Sequence, residues 1–226
     1  MLTEGEHSVS ARLRDLGSGT WESATEHPMV KEIAAGTLPH RSFRRYFEQN
    51  ISYLEDYTRA LAMVLSKAPD NEALEVLGRF LGQIITVELP TNRRFLQRLG
   101  GNPEEVRGVV TMEPTTYAYT RHLLATAALG DCAAGLAAVL PCQWSYGEIG
   151  ARTAGAQPDD PIYADWIAVF GDPGYADLVS MSTGLLDRLA APSRETFDRL
   201  QVIFEASTRY EVDFWDMAYG PSSASS

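Results

Sequence analysis

Apolar residues recur at helical spacing almost from one end of this chain to the other, and no stretch shows the strict alternation of a half-buried strand. That periodicity restricts the chain to an all-α fold. Phe43, Tyr46, Phe47, Asn50, Tyr53, Leu54, Tyr57 and Leu61 trace one stripe of a helix that begins at or before Ser42. After the turn Pro69-Asp70-Asn71, a second helix is expected from about Asn71 to Leu99. It has Leu74, Leu77, Leu81, Ile84 and Ile85 on its apolar face and a kink at Pro90. Further helices are expected near Thr116–Leu129, Cys132–Ala151, Ile162–Phe170, Tyr175–Leu189 and Ser193–Ala218.

With 226 residues against roughly 150 per domain, and with no internal repeat or linker, these helices form one bundle. The expected division is an N-terminal extension over 1–20, a helical domain over 21–219 and a small polar tail over 220–226, expected to be disordered. A content of 45% hydrophobic residues supplies a sizeable core, and the net charge of −11 with no Lys/Arg cluster argues against nucleic acid as a partner. The longest uncharged run, the 16 residues Cys132 to Gly147 interrupted by Pro141, falls short of the roughly 18 that a membrane-spanning helix needs. The N-terminus has no basic, apolar leader pattern, so a cytoplasmic location is expected. Cys132 and Cys142, about 15 Å apart along a helix, are expected as free thiols.

Three features depart from a plain helical core. Cys142 follows Pro141, whose missing N–H interrupts the helix and leaves fresh donors beyond it. A thiol there is favoured as thiolate by the local dipole, with a small buried hydrophobe as the other reading. Glu211 lies among Phe204, Thr208, Trp215 and Ala218 on the inward stripe of the last helix, where a carboxyl has its pKa raised and becomes a proton donor; a satisfied core ion pair is the alternative. Tyr46, Gln49, Asn50, Tyr53 and Tyr57 share a face that can stack on a flat heterocycle, or simply belong to the core. Of the histidines, His7, His27, His40 and His122, none sits in a helical carboxylate pairing that marks a metal centre, and His27 before Pro28 reads as the start of a helix.

The string Leu140-Pro141-Cys142-Gln143-Trp144-Ser145-Tyr146-Gly147-Glu148-Ile149-Gly150 resembles the signature of the TenA/thiaminase II family. His27-Pro28 through Pro39, Phe43, Tyr46, Gln49 to Leu54, Pro161-Ile162-Tyr163, Trp166, Tyr210-Glu211, Phe214-Trp215 and Met217 to Tyr219 extend the resemblance over about Glu22 to Tyr219. The resemblance implies a haem-oxygenase-like helical bundle without haem, a homotetramer, and hydrolysis of an aminopyrimidine at its exocyclic methylene with no cofactor. Such an enzyme belongs to thiamin salvage and takes a small-molecule pyrimidine or related heterocycle, with an amine or a thiazolium as leaving group. On this sequence it implies Cys142 as nucleophile and Glu211 as the acid toward a ring nitrogen, with Tyr53, Tyr119 and Tyr146 lining the pocket. Three positions depart from the pattern. Asn50 stands where the family has an aspartate, Phe170 where a tyrosine is common, and Asn92 where a histidine is frequent after Glu88. Asn50 is expected to pair bidentately with an aminopyrimidine edge. Because Asn50 and Phe170 fall in the pocket, the alternative expectation is a relative that binds or processes a different heterocycle.

Overall fold

The computed structural model describes residues 8–106, 112–190 and 193–220. The first seven residues of the expected extension and the expected tail beyond Gly220 lie outside them. Turn-forming residues fix where the helices start. Ser8 caps α1 (Val9–Leu16), His27 accepts from the Met29 amide to open α3 (Pro28–Ala35), and Asp70 accepts from Ala73 to open α5 (Asn71–Gln83). Asp131 opens α9 (Cys132–Thr153), Asp160 opens α10 (Pro161–Phe170), Asp172 opens α11 (Pro173–Leu189) and Ser193 opens α12 (Arg194–Tyr219). Prolines occupy the first turns of α3, α8 (Pro114–Leu129), α10 and α11, where no intrahelical donor is lost. The remaining elements are α2 (Ser18–Thr25), α4 (His40–Leu65), α6 (Leu89–Arg98) and the single turn α7 (Pro103–Val106), and no strand occurs among the described residues.

At the centre lies α9, buried on nearly every side, with α12, α8, α11, α4, α10 and α2 packed around it. Its alanine-rich first half lets neighbours approach closely, and Gly150 is a fixed point of contact: a β-carbon there would come within 2.0 Å of the Phe170 carbonyl oxygen. Pro141 sits inside this helix, one residue before Cys142. From outside, Arg14 of α1 and the indole N–H of Trp21 in α2 both donate to the Glu148 carboxylate, bracing the second half of α9.

The helix expected from Asn71 to Leu99 runs on from Asn71 to Arg98, but a π-turn, Ile84–Glu88, is inserted in it between α5 and α6. Pro90 has no N–H, and its ring would collide with the carbonyl four residues earlier. The wider turn, closed by the Leu89 amide on the Ile84 carbonyl, absorbs that conflict upstream of the proline. Ile85 is 48% exposed and Leu74 47% exposed, so both leave the apolar face assigned to them, while Glu88 lies inside at 8%.

Candidate active site

Four helices meet where Cys142 of α9, Glu211 of α12, Tyr119 of α8 and Tyr53 of α4 come together. Glu211 is 4% exposed, and its Oε1 accepts a 2.5 Å hydrogen bond from the Tyr119 hydroxyl. Burial raises its pKa to about 7 against the opposing pull of hydrogen bonds with Tyr119 and Cys142. No cation pairs with it among the described residues, so the ion-pair alternative is set aside in favour of a carboxyl poised between its two protonation states. Tyr119 has its own pKa pushed well up, by burial and then by Glu211, and stays a donor.

The thiol departs from the expectation of a thiolate. Burial, followed by the charge of Glu211, drives the Cys142 pKa well above that of an ordinary thiol, and Glu88 adds to the rise. The dipole beyond Pro141 is outweighed because desolvation penalises the anion more than a few N–H groups favour it. The Tyr53 hydroxyl is close enough to the thiol to work against the rise, yet it has no hydrogen-bond partner at ordinary distance and angle. Cys132, at the other end of α9, is a second free thiol remote from this cluster.

A second layer joins the remaining expected residues. The Tyr46 and Tyr146 hydroxyls are 2.8 Å apart, and the Asn50 amide reaches Tyr46 Oη at 3.4 Å. Asn50 Nδ2 also donates to Asn92 Oδ1 at 2.9 Å, while Asn92 Nδ2 donates to the Glu88 carbonyl at 2.8 Å. With both amide hydrogens engaged, Asn50 has only its oxygen to offer, so the bidentate pairing expected of it requires breaking a bond inside the protein. Phe170 packs on the Tyr146 ring at 4.8 Å. Gln49 and Tyr57 belong to the framework instead. Gln49 Oε1 ties α4 to the start of α8 through the Glu113 amide and the Thr116 hydroxyl, and Tyr57 donates to the Val139 carbonyl.

Two residues of this site were passed over in the sequence. Tyr175, on α11, packs against Phe170 at 5.3 Å, and its buried phenol feels the charge of Glu88 and Cys142. Glu88 lies four residues after Ile84 and seven after Leu81, on the inward stripe of its segment. That is the same signal that singled out Glu211, and it was available in the sequence. Its Oε1 is buried without a partner, as are Tyr53 Oη, Trp215 Nε1 and both amide atoms of Gln143. Native proteins leave few such atoms, and at a cluster of aromatic rings they offer hydrogen bonds to a flat polar ligand. Among the described residues no group of three or more His, Cys, Asp and Glu is placed to hold a metal ion, and no helix is long and apolar enough to cross a membrane.

The arrangement resembles known proteins throughout its length. The profile of the TENA/THI-4/PQQC family matches residues 17–220. The aminopyrimidine aminohydrolase of Halalkalibacterium halodurans is 34% identical over 217 residues, covering 94% of this chain and 96% of that protein. The solved TenA homologue protein from P. horikoshii OT3 superposes with a TM-score of 0.86 at 32% identity, covering 94% of this chain and 99% of the other. A domain of heme oxygenase-like fold from Shewanella denitrificans OS217 superposes with a TM-score of 0.72 at 14% identity, over 92% and 91% of the two chains, and so shares the fold.

Proposed function

The chain belongs to the TENA/THI-4/PQQC family, and from that premise we propose that it hydrolyses an aminopyrimidine at the exocyclic methylene, as a thiaminase II-type enzyme of thiamin salvage. The carrying observation is the buried Glu211 carboxyl, hydrogen-bonded to Tyr119 and near enough to the Cys142 thiol for each to shift the other's pKa, with an aromatic wall beside it. Such hydrolysis is the activity for which the H. halodurans relative is named.

A thiol held neutral by burial still reacts if its proton has somewhere to go. As Cys142 Sγ bonds to a ring carbon, its proton passes to the Glu211 carboxylate, which delivers it to a ring nitrogen. The ring, no longer aromatic, pushes an electron pair outward and expels the amine or thiazole from the methylene. Water adds to the exposed methylene carbon, and its spare proton goes to the departed amine or to solvent. The S–C bond then breaks, aromaticity returns, and the ring-nitrogen proton goes back through Glu211 to the sulfur, leaving a hydroxymethylpyrimidine. Tyr53 and Tyr146 line the ring's site, Asn50 offers its oxygen to an amino group, and Phe170 supports Tyr146. The family resemblance alone supports two finer readings, a homotetramer and a cytoplasmic location. Light scattering reads the first directly.

Mass-resolved turnover of thiamin and of 4-amino-5-aminomethyl-2-methylpyrimidine, by the native sequence beside Cys142→Ala, tests the reaction. Conversion to the hydroxymethylpyrimidine by the native protein and none by the variant is expected. Undiminished turnover by Cys142→Ala sinks the nucleophile. A ligand that binds and returns unchanged means that Asn50 and its neighbours have turned the scaffold into a binder.

A further inference from the structure

Two buried carboxyls, Glu211 and Glu88, raise the pKa of one thiol, Cys142. Glu211 is engaged by Tyr119 and Cys142. Glu88 is different: it is 8% exposed, its Oε1 has no partner, and among the described residues no Lys, Arg or His lies within ion-pair distance of it. Burial raises its pKa to about 7 with no hydrogen bond to offset the effect. It sits at the end of the π-turn on the inward stripe of its segment, and Asn92 holds it there by donating to the Glu88 carbonyl while accepting from Asn50. Its charge reaches Cys142, Tyr46 and Tyr175, and through Asn92 it is linked to Asn50 of the same cluster.

A buried carboxyl with nothing to bind destabilises the protein that carries it. When ionised, both carboxyls also push up the pKa of the same Cys142 thiol and oppose the loss of its proton. A ligand that brings a positive charge resolves both problems. We propose that Glu88 recognises the charge on the leaving group, its unpartnered oxygen pairing with the cation carried on the methylene of the aminopyrimidine. The inference rests on the hydrolase reading above and assigns one residue of it to substrate selection. Glu211 then serves the ring and Glu88 the departing group, with Cys142 between them in function. The neutral hydroxymethyl product, lacking that cation, is held less tightly and leaves.

Isothermal titration on a Cys142→Ala background, with and without Glu88→Gln, separates the possibilities. Three ligands are used: the aminomethylpyrimidine, which is an ammonium at neutral pH; thiamin, whose thiazolium is a fixed cation; and the neutral hydroxymethylpyrimidine with the same ring. Glu88→Gln is expected to weaken the ammonium ligand by about tenfold or more, the scale of one charge-assisted hydrogen bond, and the neutral ligand by less than about twofold. Selective weakening of thiamin as well makes Glu88 a reader of either cation; weakening of the ammonium alone assigns it to the amine. Equal weakening of cationic and neutral ligands, or no change in any, overturns the proposal while the hydrolase reading stands. Failure of all three ligands to bind when Glu88 is intact overturns the hydrolase reading and this one with it. Glu88→Met, which removes the unpaired polar atoms altogether, is the companion variant and is expected to fold at least as stably as the parent and to show the same selectivity.

Discussion

Asn50 and Asn92 occupy two positions at which the family resemblance leads one to expect an aspartate and a histidine, and the two changes are one. Asn50 Nδ2 donates to Asn92 Oδ1, so the two departures touch one another as a neutral amide pair. Each departure was visible in the sequence, but 42 residues separate them, and no local pattern joins α4 to α6 at that point. The pairing makes Asn50→Asp a damaging change by itself, because it sets two acceptors against each other in a buried site. A cost of about 1–3 kcal/mol in chemical denaturation is expected. Adding Asn92→His restores a donor, and the double variant is expected to recover about 1 kcal/mol or more relative to the sum of the single changes. Strict additivity would mean that the two sites are independent. Glu211 and Glu88 teach a related lesson. Both lie on inward helical stripes, so both were legible as buried carboxyls, but what each one touches was not.

At the scale of elements, prolines and caps carried most of the legible information. Asp70, Asp131 and Ser193 open their helices where turn formers precede apolar periods, and His27 caps α3 as its place before Pro28 suggests. The 8-residue helices α1, α2 and α3 are too short for a period to rise above chance. The π-turn left no sequence signature beyond Pro90, because its effect appears upstream of the residue that causes it. Pro141 acts within its own helix. It withholds the donor that would continue α9 at that point and so sets the direction of the turn bearing Cys142. Pro141→Ala restores that donor while removing a small buried ring, two effects of similar size and opposite sign. Stability within about 2 kcal/mol of the parent is therefore expected, together with loss of turnover by about tenfold or more as the thiol shifts relative to Glu211. Parent-like turnover in a folded Pro141→Ala protein would show that the interruption is incidental to catalysis.

For the molecule as a whole, the pocket leaves a mark on stability. Glu88 and Glu211 both have pKa values raised from 4.5 to about 7 by burial. Between those values the folded protein holds protons that the unfolded chain has released, so stability falls as pH rises through that window, by on the order of 3 kcal/mol per group at its upper side. Glu148, lowered by Arg152, Trp21 and Arg14 against its own burial, works in the opposite sense and loses its contribution as pH falls through the carboxylate range. Urea denaturation at about pH 5 and pH 8 is expected to find the parent weaker at the higher pH and Glu88→Gln roughly half as sensitive; parallel behaviour of the two would place the Glu88 carboxyl in a better-solvated setting. The α-helical class and the single bundle were plain from periodicity alone. This pH response was not, since it depends on which carboxyls the folded chain encloses.

Trp215 lies one helical turn beyond Glu211, stacked on the Tyr46 ring at 5.3 Å and on the Tyr146 ring at 5.5 Å, with its indole N–H unpartnered. Trp166 packs edge-on against it at 6.4 Å, while Trp21 and Trp144 are packed together at 5.1 Å. The protein thus carries its own optical reporter. Any occupant of the pocket that takes up the Trp215 N–H or alters its stacking changes the emission of this indole, and Trp215→Phe removes that part of the signal. Occupancy becomes readable from light alone, without a label and without waiting for a bond to break.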